Sequence, residues 1–371
     1  MKDTSMKFRV TIISVLIALV SINSWSEHHE VGEGEWIDLF DKKTTYGWSN
    51  VGDVTWEVND GILQSTSGTG GMLHTTSQFS DFELTAKIRV SKGASTALVY
   101  RAASAGHPSE NGSSIVWLQQ PRTSDSEWQS IRVVARGNEL EVVTGGGAKV
   151  RTLEGTNTRG HIGILFHHNR GATVEVSDVR LRPLGLKPIF NGENLDGWNI
   201  IPGKPSKFSV VDGAINITDG PGQIETQELF KDFVLQLDVF SNGEHLNSGV
   251  FFRGPPGVFW KGYETQVRNQ WRGDDRTQPV DFGTGGNYGN QPAREVITND
   301  KEWFKMTIVS DGNHSAAWVN GYLVSDFLDT RMVRADSNAK EGYVGAAGTI
   351  HLQGHDPTTN LSFKNINVQK N

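Results

Sequence analysis

The chain has 371 residues, with 35 Lys and Arg against 42 Asp and Glu, a formal charge of −7 and no cysteine. At about 150 residues per domain this length points to two domains, and an acidic chain without a basic stripe argues against a nucleic-acid partner. With no cysteine, disulfides, thiol nucleophiles, iron–sulfur clusters and cysteine-held zinc are excluded together. The 42 glycines, 11 tryptophans and 17 phenylalanines suggest many turns between short aromatic-rich strands, and an all-β fold.

Lys2, Lys7 and Arg9 precede an apolar run from Val10 to Ile22, with small residues following at Ser24 and Ser26. This reads as a secretory signal over residues 1–26, and the run is shorter than the roughly 20 residues that a spanning helix needs. The expectation is an acidic bacterial protein, secreted or periplasmic, with no membrane span once the signal is cut.

The rest of the chain reads as one unit written twice. IDLFDKKTTYGW (37–48) returns as KPIFNGENLDGW (187–198), VTWEVNDGIL (54–63) as SKFSVVDGAI (206–215), and FSDFELTAKIRV (79–90) as FKDFVLQLDVF (230–240). STALVYRA from Ser95 falls on NSGVFFRG from Asn247, and EW at Glu127 falls on EW at Glu302. Two homologous domains follow, 34–184 and 187–371, the second enlarged by an insertion around Phe259 to Arg294. Within each copy apolar and polar residues alternate with period two, and Gly or Asp-Gly punctuates the runs. Each domain should therefore be an antiparallel β-sandwich whose strands turn one face to the core and the other to solvent or ligand.

The motifs IFNGENLDGW, NSGVFFRG, GYETQV, WVNG and GTIHLQGHD...FKNINV resemble, in that order, the 3-keto-disaccharide hydrolase domain family over residues 187–371. Residues 34–184 resemble a degenerate second copy. The resemblance implies a concanavalin-like jelly-roll, export in bacteria, and cleavage of glycosides already oxidised at carbon 3. A ketone there acidifies the hydrogen on carbon 2, so a base can remove it and the enolate can expel the oxygen on carbon 1, after which water adds. Such a site needs a base, a proton donor for the leaving group, donors or a cation at the enolate oxygen, and a sugar-shaped cleft.

Strand parity nominates the residues. Asn247 and Arg253 share one parity in NSGVFFRG, Glu264 and Gln266 another in YETQV, and Gln353 and His355 a third in HLQGH. Together they make a polar ladder for a concave sheet. Glu264 and His355 are the candidates for base and acid, and they could instead hold a divalent cation that polarises the ketone. Asn247, Arg253, Gln266 and Gln353 would hold sugar hydroxyls or the enolate, and Trp260 and Tyr288 would form a stacking rim. Each has a plain structural alternative: an ion pair of Glu264 with Arg253 or Arg268, a turn-capping His355 before Asp-Pro, and aromatic rings that merely anchor a long loop.

In the first copy Arg101 falls on Arg253, whereas Glu264 aligns near Ile115, Gln266 near Trp117 and Gln353 near Phe166. That copy should not be a second equivalent catalyst. A non-catalytic, lectin-like carbohydrate-binding protein is the competing function. An ordinary glucanase is disfavoured, because no strand reads E-x-D-x-E.

Overall fold

The computed structural model of the protein describes residues 32–118, 127–145, 151–168 and 172–371. The expected signal, residues 1–26, lies outside them. Every secondary-structure element assigned in these segments is a β-strand, and among the described residues no helix is long and apolar enough to cross a membrane.

Each half is a two-layer sandwich. In the second half the larger sheet runs Lys207–Val211, Ala214–Thr218, Asn360–Lys370, Phe233–Ser241, Trp303–Asp311, His314–Val319, Tyr322–Leu328, and the smaller runs Trp198–Ile200, Gly222–Thr226, Thr349–Gly354, Ser248–Gly254, Tyr263–Val267. Within both sheets each strand is antiparallel to its neighbours. The first half repeats the plan, with a larger sheet centred on Phe82–Val90 and Val174–Pro183 and a smaller one centred on Ala94–Ala102 and His161–His168. The repeat survives in detail, since the indole N–H of Trp48 donates to the Leu39 carbonyl and that of Trp198 to the Ile189 carbonyl.

The larger sheet of the second half departs from simple in-and-out alternation. Leu235, Leu237, Val239, Met306, Ile308, Ala317 and Val319 fill its own core, while Val234, Val309, Ala316, Trp318 and Leu323 belong to the core of the first half. The face expected to meet solvent or ligand is instead covered by the other domain, so these strands are apolar on both sides, as doubly buried strands are. Trp318, 2% exposed, is the largest of these plugs; its indole N–H donates to the Asp38 carbonyl. With that face occupied, the smaller sheet is the one left to carry a ligand.

Candidate functional site

The smaller sheet of the second half sorts its side chains by parity. Ile224, Val250, Phe252, Tyr263, Val267, Ile350 and Leu352 turn into the core. The opposite face is laid out by the strand register in two transverse rows: Glu225, His351, Phe251, Glu264, and beside it Gln223, Gln353, Gly249, Gln266. The free edge is completed by the insertion. The amide of Gly285 donates to the Gln266 carbonyl, Gln266 to Gly286, and Tyr288 to Glu264. Gly285, at φ 87, has no room for a side chain against Val324.

Glu264 lies on the edge strand of this sheet, between Phe251 and the insertion, and is 3% exposed. A Cβ on Gly249 would stand 2.5 Å from its Oε1, so the glycine makes the space that the carboxyl occupies. Burial pushes the Glu264 carboxyl up to about 8; the Lys340 ammonium and a hydrogen bond from Trp260 work downward, and Asp281 works upward. The Lys340 ammonium sits 3.7 Å from the ring centre of Trp260 and 4.1 Å from that of Tyr288. Burial lowers its pKa, opposed by Glu264 and Asp281. Asp281 accepts from Asn247 Nδ2 at 2.8 Å and Gln266 Nε2 at 3.1 Å, tying two amides to the insertion.

His351 is completely buried. Its ring stacks on Phe251, its Nε2 lies 2.6 Å from Thr349 Oγ1 and 3.4 Å from Glu225 Oε2, and burial alone takes its pKa down to about 4. Glu225 also accepts from the Gly257 amide at 2.9 Å and from Thr349 Oγ1 at 2.9 Å. Gln223 Oε1 accepts from the Trp260 amide at 2.7 Å, which fixes the rim over the sheet.

Four buried polar atoms on this face have no partner: Gln223 Nε2, Asn247 Oδ1, Glu264 Oε2 and Gln353 Oε1. Each such atom costs about 1–3 kcal/mol when left unpaired. A donor, two amide acceptors and a carboxyl oxygen on one sheet face, with an ammonium near the carboxyl, suit a polyhydroxylated ligand, whose hydroxyls both give and take hydrogen bonds.

The structure brings together Asn247, Glu264, Gln266, Gln353, Trp260 and Tyr288, and separates two other candidates from them. Arg253 does not point to the face that carries Glu264. The strand slips register between Phe251 and Gly254, Arg253 adopts φ 54, and its guanidinium donates to the Lys231 and Val344 carbonyls and to Asp232. Arg101 does the same in the first half, with φ 50 and bonds to the Ser80 and Gly137 carbonyls and Asp81. This arginine is a clamp of the fold. His355 follows the strand end at Gly354; its ring meets Asp356 and its amide donates to Thr359 Oγ1. It lies four residues, roughly 13 Å along the strand direction, beyond His351. Glu264 and His355 are therefore not a proton-transfer or metal-ligand pair, and among the described residues no three His, Asp or Glu side chains form a metal-ligating cluster.

Parity reasoning missed His351, although it shares the phase of Gln353 in HLQGH, and it missed Gln223 and Glu225 in the alternating GQIET. Asp281 and Lys340 come from loops, where no period announces them. In the first half the corresponding face is mostly apolar: Met72, Ala97, Val99, Ile115 and Leu165 cluster there with Trp117 packed against them, and the buried His74, where Glu225 stands in the second half, packs against His161 at 4.7 Å between ring centres. The register places Leu165, rather than Phe166, where Gln353 stands, because Ile162 and Ile350 take the same bond from their amides to Thr75 and Thr226 Oγ1.

The sequence matches the 3-keto-alpha-glucoside-1,2-lyase-like domain twice, over residues 35–182 and 185–369. No curated protein matches the chain. Among solved structures, a glycosyl hydrolase candidate from Parabacteroides distasonis ATCC 8503 aligns at 20% identity and a TM-score of 0.41, covering 50% of this chain and 94% of its own. A second candidate from the same organism aligns at 23% identity and 0.41, covering 50% and 99%. A carbohydrate-binding module from Bacillus subtilis aligns at 14% identity and 0.35, covering 48% and 98%.

Proposed function

Because the chain belongs to the 3-keto-alpha-glucoside-1,2-lyase-like domain family, we propose that its second half cleaves glycosides bearing a ketone at carbon 3, by elimination across carbons 1 and 2. The observation that carries this reading is the buried Glu264 carboxyl, with its Oε2 unpartnered and the Lys340 ammonium acting on it, among the Gln223, Asn247 and Gln353 amides, each of which also has one atom without a partner.

Ionised Glu264 takes the proton from carbon 2. The electron pair of that C–H bond is first held as the enolate of the ketone, where the Lys340 ammonium offsets the charge developing on oxygen. The pair then forms the double bond between carbons 1 and 2 as the bond from carbon 1 to the glycosidic oxygen breaks. Glu264 now carries the proton that the departing oxygen needs, so one carboxyl closes the balance. Addition of water to the unsaturated sugar completes a net hydrolysis. A base whose pKa is raised toward 8 is better matched to a carbon acid than an ordinary carboxylate is. Gln223, Asn247, Gln266 and Gln353 hold hydroxyls, and Trp260 and Tyr288 hold Lys340 and cover the ring. The basic start and apolar run Val10 to Ile22 support export with signal cleavage, which amino-terminal sequencing of the exported protein tests.

The deciding experiment is turnover of a 3-keto-glucoside and of its unoxidised parent by the protein, with and without chelator, beside Glu264→Gln. Cleavage of the keto substrate alone, lost in the variant, is expected. Binding of both sugars with cleavage of neither would make this a lectin-like face and overturn the proposal.

A further inference from the structure

We infer that the first half serves as a brace for the active-site loop of the second, and that Asp41 is a positioning residue for chemistry it does not touch. The inference rests on the reading of Glu264 and its neighbours as a catalytic site.

The segment from Asp281 to Arg294 supplies Asp281 and Tyr288. It contains GTGGNYG (283–289), a glycine-rich stretch with high conformational entropy to lose on ordering. One side is held by the edge of the smaller sheet, as described. The far end is held at Arg294, whose Nε donates to the Leu323 carbonyl at 2.7 Å. Its guanidinium lies 4.4 Å from the ring centre of Tyr322 in the second half and 4.5 Å from that of Tyr46 in the first. Nη1 reaches across to Asp41 Oδ2 at 2.7 Å and Thr44 Oγ1 at 3.3 Å.

Asp41 is itself fixed. Its Oδ1 accepts from the amides of Lys43 and Thr44 at 2.8 and 2.7 Å, and its side chain is 5% exposed. A second tie runs in parallel: the Gln291 amide bonds both the carbonyl and the N–H of Asp326, and Asp326 Oδ1 accepts from Thr76 Oγ1 of the first half at 2.8 Å. A charged, stacked and largely dry contact is directional, and displacement of a catalytic group by about 1 Å can cost on the order of 100-fold in rate. The first half has apolar residues where Glu264, Gln266 and Gln353 stand, yet its segment from Asp41 to Tyr46 holds the loop that orients Asp281 against Asn247 and Gln266.

The test uses Asp41→Asn, which keeps an oxygen for the Lys43 and Thr44 amides while removing the charge opposite Arg294, together with Arg294→Gln and the double variant. Steady-state kinetics on a nitrophenyl 3-keto-glucoside are read beside amide hydrogen exchange of residues 284–288. For each single variant kcat falls at least tenfold with KM within threefold, and exchange of the loop amides quickens at least tenfold. The double variant is no worse than the poorer single. Unchanged loop exchange in Asp41→Asn overturns the brace, whatever the kinetics, and that variant decides alone if Arg294→Gln fails to fold. Since exchange needs no substrate, absence of turnover in the unaltered protein would remove the catalytic reading and leave the brace measurable.

Discussion

Glu264 and His351 stand on one row of the same sheet with Phe251 between them, the register partner of both. Burial is the first cause of both their shifts and moves them in opposite directions, the carboxyl up to about 8 and the imidazole down to about 4. A sheet face dry enough to favour the neutral form of an acid and of a base alike strengthens every charge that develops beside it.

If ionised Glu264 is the base, kcat/KM rises about tenfold per pH unit below a limb near 8. Asp281 raises this carboxyl and Lys340 lowers it, so Asp281→Asn moves the limb to lower pH and Lys340→Met moves it to higher pH. Initial rates between pH 5.5 and 9.5 give the three profiles, and a flat profile for the unaltered protein would exclude Glu264 as the base.

The same shift acts on stability. The native Glu264 keeps a proton that the unfolded chain releases between about 4.5 and 8, so this group's contribution declines as pH rises through that window. Glu264→Gln removes the penalty: the inactive variant is more stable than the parent at pH 8, and the gain shrinks as the pH falls toward 4.5. Urea unfolding at the two pH values checks it.

The two histidines of HLQGH separate cleanly. His351→Ala opens a cavity in the buried sheet face that carries Glu264 and removes the ring that contacts Thr349 Oγ1 and stacks on Phe251, with a loss of at least 100-fold in kcat expected. His355→Ala, at an exposed turn, leaves kcat and KM within twofold. Equal losses in the two would contradict the placement.

Arg253→Ala and Arg101→Ala are folding mutations. Each strips two backbone carbonyls and an aspartate of a buried donor, at about 3 kcal/mol, read as a lowered denaturation midpoint. Activity per folded molecule of Arg253→Ala stays within about threefold of the parent.

What the sequence determined by itself is what depends on local pattern. The internal repeat follows from segments that recur about 150 residues apart, and the all-β alternation and the shared parity of Glu264 with Gln266 follow from a period of two, which a strand imposes on its own residues. Parity failed where the strand stopped being regular: a bulge turned Arg253 away, and the strand ended before His355 could join Gln353. Tertiary structure alone decided the rest. Asp281 and Lys340 reach Glu264 from loops, whose course no period encodes, and the larger sheet of the second half buries its outer face against the first. Both outcomes depend on how distant segments pack, because the free energy of covering an apolar face or pairing a buried charge belongs to the contact between segments and to neither segment alone.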